Sequence, residues 1–258
     1  MGDTNMTAGG YSADTVYVKA GTVQYHETDQ HGFIRPVALL NYLQSAAGEH
    51  ATRLGVSVHE LRKSGHTWVL SRVHLSMERY PRGDESFFIT TWPSERGPFF
   101  TVRDFELTDA RGCLIGAATT SWAVMNIGTR RPVKLDSVLP LFRLTPRRAL
   151  TDPFSTLPII ETPELELHLP VLRADLDINR HVNNTAYVGW ALETIPEEVD
   201  SSCRLASVEI SYRAEALYGD SIVARSGQVG GTGCYLHRID NDQDGRELAR
   251  LRTVWLPI

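Results

Sequence analysis

The sequence predicts an α+β chain made of two similar halves, each a long helix laid against a curled antiparallel sheet. Three observations predict it. Apolar residues recur at helical spacing in two places, each followed by a run of strand-like segments; a proline-rich stretch separates the two runs; and short motifs return in the same order in both halves.

Taken in order, Val16 to Tyr25 alternates apolar and polar residues, the period of a half-buried strand. Gln30 to Arg35 leads to Pro36 at a first helical position, where its missing N–H is harmless. Leu39, Leu40, Leu43, Ala46, Ala47, His50 and Leu54 then form one helix face, and Gly55 ends the helix. Trp68 to Tyr80, Glu85 to Trp92, Phe99 to Thr108 and Cys113 to Met125 read as strands between turn-forming clusters. From Asn126 to Pro163, six prolines break any regular pattern, and Arg130, Arg131, Lys134, Arg143, Arg147 and Arg148 add positive charge, which marks a linker. Beyond it Leu165 to Val171 reads as a strand and Asn183 to Ile195 as a helix. Arg204 to Ala216, Ser221 to Val229, Gly233 to Ile239 and Arg246 to Leu256 follow as strands.

Composition narrows the function. A formal net charge of -5 without a long basic stripe argues against a general nucleic-acid binder. Three scattered cysteines, Cys113, Cys203 and Cys234, form neither a disulfide framework nor a zinc motif, and a reducing cytoplasm fits them. Residues 1–15 carry no apolar leader pattern and read as a loose tail, and no apolar run approaches the ~20 residues of a membrane span.

Polar chemistry concentrates just before the second helix, in Asp177-Ile-Asn-Arg-His-Val-Asn183. If that segment is extended, Asp177, Asn179 and His181 project from one face, with Asn183 or Asn184 as N-cap of the helix behind them. The first half offers Asp29-Gln-His31-Gly-Phe33 at the same place, and His74 to Tyr80 matches Glu209 to Glu215. Phe33 therefore stands where His181 does, His31 where Asn179 does, and Tyr80 where Glu215 does. Only the second half keeps the full polar set, which predicts one active site per chain.

Asp177 through Glu193 closely resembles the signature of the acyl-ACP thioesterases, the plant FatA/FatB type and its bacterial relatives. Thr67 to Arg72, Glu78 to Pro81, Ser121 to Asn126 with Thr129 to Arg131, and Ser211 to Glu215 are similar to that family's blocks, in its order. The resemblance implies a tandem hot-dog fold with residues 16–135 as the N-terminal domain, a substrate pocket with a degenerate site. Residues 136–163 become the linker and residues 164–258 the catalytic domain. It implies hydrolysis of the thioester joining a fatty acyl chain to acyl carrier protein, with no cofactor and no metal. By motif, the functional residues are Asp177, Asn179, His181 and Glu215. Plant members commonly carry a cysteine right after that Glu; here the position is Ala216, so a cysteine nucleophile at that position is excluded.

Two mechanisms stay open: attack by a water that Glu215 activates with help from His181, or attack by Asp177 through an anhydride. Two other functional classes stay open as well. One is a different hot-dog enzyme, an acyl-CoA thioesterase or a hydratase/dehydratase; the other is a non-catalytic acyl-chain binding protein. The linker cations are candidates to meet an acidic carrier protein. The two halves would form a pseudo-dimer, so a further homodimer is permitted but not required.

Overall fold

A computed structural model of the chain describes residues 15–231 and 233–258, so the tail expected over residues 1–15 lies outside the described residues except for Thr15. The chain divides into two compact units, Met1–Ser71 with Glu78–Thr151, and Arg72–Met77 with Asp152–Ile258.

The first unit runs β1 (Tyr17–Thr22), α1 (Pro36–Arg53), α2 (Val58–Lys63), the part of β2 (His66–Met77) up to Ser71, β3 (Ser86–Arg96), β4 (Phe100–Asp109), β5 (Leu114–Asn126) and β6 (Arg131–Pro132). β1, β3, β4 and β5 pair antiparallel in that order and β2 follows β5. α1 starts at Pro36 and buries Leu39, Leu40, Leu43, Ala46, Ala47 and His50, the face the spacing predicts. It packs on β1 and β3, where the Tyr42 ring meets Phe87 edge-on at 5.1 Å. Gly21 of β1 makes room for that contact, because a Cβ there would lie 2.7 Å from the Phe87 ring.

α2 was not expected from periodicity, since six residues are too few to show one. Its start was nonetheless written in Ser57-x-x-Glu60, whose serine side chain accepts the Glu60 N–H at 3.3 Å. The proline-rich segment after β5 is tied to the first unit by its side chains. Leu135 and Leu139 join the cluster of Val56, Leu61 and Val124. The Trp92 indole N–H donates to the Arg147 carbonyl at 2.7 Å, and the Arg147 guanidinium lies 3.9 Å over the same ring. Arg148 donates at 3.1 Å to the fully buried Asp104 carboxylate. Two of the six cations expected to be available to a partner are thus engaged at home.

The second unit runs β7 (Leu165–Pro170), α3 (Asn184–Leu192), α4 (Glu197–Ser202), β8 (Cys203–Tyr212), β9 (Ser221–Gln228), β10 (Cys234–Asn241) and β11 (Glu247–Pro257). With Arg72–Met77 of β2, its strands follow the order β2-β8-β11-β10-β9-β7, and adjacent strands pair antiparallel. α3 packs on β9, β10 and β11 and buries Thr185, Tyr187, Val188, Trp190 and Ala191. The predicted second helix, Asn183 to Ile195, is too long: α3 has 9 residues against 18 in α1. Pro196 disfavours a helical Ile195, and the Thr194 hydroxyl turns back to the Ala191 carbonyl at 2.7 Å, closing the helix early.

Below that helix end sits His237, fully buried on β10. Because the Thr194 hydroxyl already donates to Ala191, it can only accept from His237 Nδ1, 3.4 Å away; Nε2 then accepts from Thr253 at 2.8 Å. Burial lowers this imidazole to about 3, so the folded chain refuses a proton that the unfolded chain takes up below pH ~6.5. Stability from this residue is therefore complete above that pH and falls on acidification, by about 1.4 kcal/mol per pH unit until the folded value is reached. We expect the stability gap between wild type and His237→Gln in urea unfolding to narrow by about 2 kcal/mol from pH 7 to pH 5. A constant gap would mean that the folded protein does protonate His237.

Candidate active site

The segment before α3 is not extended. Asp177 N–H donates to the His181 carbonyl at 2.7 Å and Arg180 N–H to the Asp177 carbonyl at 3.0 Å, which curls residues 177–181 into a tight loop. The loop winds around one carboxylate: Asp177 accepts the N–H of Asn179 at 2.7 Å, the side-chain amide of Asn179 at 2.9 Å and the N–H of His181 at 3.1 Å. The spacing of two that suggested a strand is instead that of an aspartate capping its own turn. Arg180 pays for the turn with a φ of 64°, a left-handed conformation that costs a non-glycine residue about 1–2 kcal/mol.

The four predicted residues fall into two linked pairs. Asp177 holds Asn179, as above. His181 faces Glu215, with Nδ1 3.6 Å from Oε1, and both side chains are partly exposed, 38% and 42%. That separation is too long for a direct hydrogen bond, yet two atoms so spaced can both reach one water oxygen. Glu215 is not on a strand as expected: β8 stops at Tyr212, and Glu215 lies in the short segment beyond it.

What fixes Glu215 is the backbone of its neighbour. Ala216, fully buried, donates its N–H to the Tyr187 hydroxyl at 2.9 Å, and its carbonyl accepts the Val182 N–H at 3.1 Å. Tyr187 comes from α3; in return Tyr212, the last residue of β8, donates its hydroxyl to the Asn184 carbonyl at 2.9 Å. The two rings meet edge-on at 5.7 Å. Burial pushes the Tyr187 phenol up to about 12, with the Glu215 charge adding to the effect, so it stays neutral at working pH. Tyr187 lies on the buried face of α3, where a tyrosine hydroxyl needs a partner. Asn183 caps α3 as expected, accepting the Thr185 N–H at 3.2 Å.

The first unit repeats the main-chain bonds of this loop, with the backbone N–H groups that the aspartate accepts. Asp29 N–H donates to Phe33 O at 2.8 Å and Gly32 N–H to Asp29 O at 3.1 Å. The Asp29 carboxylate accepts the N–H groups of His31 at 2.8 Å and Phe33 at 3.0 Å. Ile34 N–H bonds Pro81 O at 2.9 Å, as Val182 bonds Ala216. Gly32, with φ of 79°, stands where the second unit strains an arginine. Elsewhere in the second unit, His74, Asp152 and Glu209 come together, but His74 bonds Asp152 and Ser207 while Arg252 holds Glu209, which makes this an ion-pair network.

Two family profiles match the chain: the acyl-ACP thioesterase N-terminal domain over residues 14–139 and the C-terminal domain over residues 161–257. The chain belongs to the acyl-ACP thioesterase family. This thioesterase is 30% identical to oleoyl-acyl carrier protein thioesterase 1, chloroplastic, of Arabidopsis thaliana, over 93% of the chain and 75% of that relative. It is 35% identical to the oleoyl-acyl carrier protein thioesterase of Coriandrum sativum over 71% of the chain, which spans 55% of that relative's length. Two solved structures are similar at a TM-score of 0.82 and 25% identity. One is an acyl-ACP thioesterase from Bacteroides thetaiotaomicron, covering 93% of this chain and 98% of that one. The other is the 12:0-ACP thioesterase from Umbellularia californica, covering 94% and 98%. The thioesterase is thus a thioester hydrolase of tandem hot-dog fold. No helix among its described residues is long and apolar enough to cross a membrane.

Proposed function

We infer that this chain hydrolyses fatty acyl-acyl carrier protein by direct attack of water at Glu215 and His181. The observation that carries this reading is the His181–Glu215 approach at 3.6 Å, in the only half that has both residues. Glu215 takes a proton from water as its oxygen adds to the thioester carbonyl carbon, giving a tetrahedral oxyanion. The C–S bond then breaks, and His181 supplies the proton that converts the departing thiolate into the carrier's free thiol. The products are a fatty acid and that thiol. Asn179, turned by Asp177, positions the carbonyl, and Asp177 itself is an organiser: a carboxylate that accepts three hydrogen bonds is a poor nucleophile.

The carrier partner belongs to the same proposal. Arg130 and Arg131 are exposed, and a cationic surface there would raise the encounter rate with an acidic carrier. A cytoplasmic setting rests on the cysteine pattern alone. The test is thiol release from acyl-ACP and acyl-CoA of matched chain lengths. We expect turnover of both, a lower KM for acyl-ACP, and loss of most of that preference in Arg130→Glu/Arg131→Glu. Binding without thiol release would make the protein a carrier of acyl chains, water addition without release a hydratase, and an unchanged KM in the charge-reversal variant would remove this surface from carrier recognition.

A further inference from the structure

Resting on that reading of the site, we propose that Tyr187 and Tyr212 form a reciprocal clamp that positions Glu215 against His181. Each tyrosine belongs to one element, and each bonds the backbone of the other element or of the segment just past its end. Tyr187 of α3 takes the Ala216 N–H at 2.9 Å, and Tyr212 at the end of β8 gives its hydroxyl to Asn184 at the start of α3. The two rings also meet edge-on at 5.7 Å. The clamp therefore ties the helix start that follows His181 to the chain segment that carries Glu215.

The first unit supplies an internal control. Its loop reproduces the catalytic loop at an offset of 148 residues, as Asp29 and Asp177 show. The strand ends correspond at an offset of 135: Glu78 and Arg79 both bond Ile115 O, as Arg213 and Ala214 both bond Leu248 O, and Pro81 matches Ala216. At the clamp positions the first half of the sequence has Leu39 for Tyr187, Met77 for Tyr212 and Pro81 for Ala216. Both hydroxyls and the accepted N–H are missing together, in the half that also lacks the histidine and the glutamate. The loop folds there without the clamp, so holding the loop is not what the clamp is for. What remains distinctive of the second unit is the catalytic pair.

Tyr187→Phe keeps the ring and deletes the bond; Ala216→Pro deletes the other side of the same bond and copies a residue the fold accepts at the matching place. We expect each to lower kcat about ten-fold with KM within about two-fold, and to move the acid limb of the kcat pH profile. The double variant should be no worse than either single one, because the bond can be lost only once. In a Glu215→Gln background Tyr187→Phe should change kcat by less than about two-fold. The proposal is overturned if Tyr187→Phe keeps wild-type kcat and pH profile even while its Tm drops, or if the two losses multiply. A Glu215→Gln enzyme with full activity would instead sink the reading of the site itself, whatever Tyr187 does.

Discussion

Glu215→Gln is expected to lower kcat by about 10²–10⁴ while leaving KM within about two-fold. The substitution keeps shape and hydrogen-bonding capacity but removes the basic carboxylate. The side chain is partly exposed, so losing its charge does not disturb a buried network, and Tm should stay close to wild type. The step affected is proton removal from water, which contributes to the transition state and not to ground-state binding. Single turnover in oxygen-18 water separates the direct route from the anhydride route. With direct attack the label enters the released fatty acid and never Asp177; label in the Asp177 carboxylate, placed there when water opens the anhydride at the aspartyl carbonyl, would overturn direct attack. A Glu215→Gln enzyme that retains more than about a tenth of wild-type kcat would rule out Glu215 as the base.

The amino-acid pattern told much about what repeats and little about how the site is shaped. α1 was legible because eighteen residues give several turns of apolar spacing and Pro36 marks the start. Neither α2 nor α4, at six residues each, can show periodicity; α2 offers a capping serine, while α4 has no side-chain cap and only acidic residues in its first turn. The candidate site residues were legible as types in a row, while their geometry was misread. Asp177, Asn179 and His181 at intervals of two look like one face of a strand, whereas the carboxylate of Asp177 curls the chain back on itself. Glu215 could be named from motif resemblance, but its approach to His181 depends on the bridge between His181 and Leu217 and on the Tyr187–Ala216 bond. Those contacts span 36 and 29 residues of sequence separation. No local pattern encodes such distances; sheet register does. Tyr187 is the clearest case, since its ring obeys the helix pattern of a core residue and its hydroxyl, which the pattern ignores, carries the structural role.

Asp177→Ala and Asp29→Ala should cost similar stability and very different activity. Both carboxylates accept the N–H groups two and four residues ahead, so each variant strips a loop of its organiser at an expected cost of about 2 kcal/mol, discounted for partial exposure. Matching Tm losses would show that the two loops are the same structural device. In the first unit the loop leads only to Phe33, whose backbone bridges Arg82 and whose ring lies 4.4 Å under the Arg82 guanidinium. In the second it delivers His181 to Glu215 and holds the Asn179 amide at 2.9 Å from Asp177. We therefore expect Asp177→Ala to lower kcat by about 10³, since a displacement near 1 Å already costs about 10², and Asp29→Ala to stay within about three-fold of wild type. Equal loss of activity in both would mean that loop integrity, wherever it occurs, limits turnover, and the assignment of chemistry to one half would fail. Equal retention would remove Asp177 from the mechanism, both as nucleophile and as organiser, and leave His181 and Glu215 to act without it.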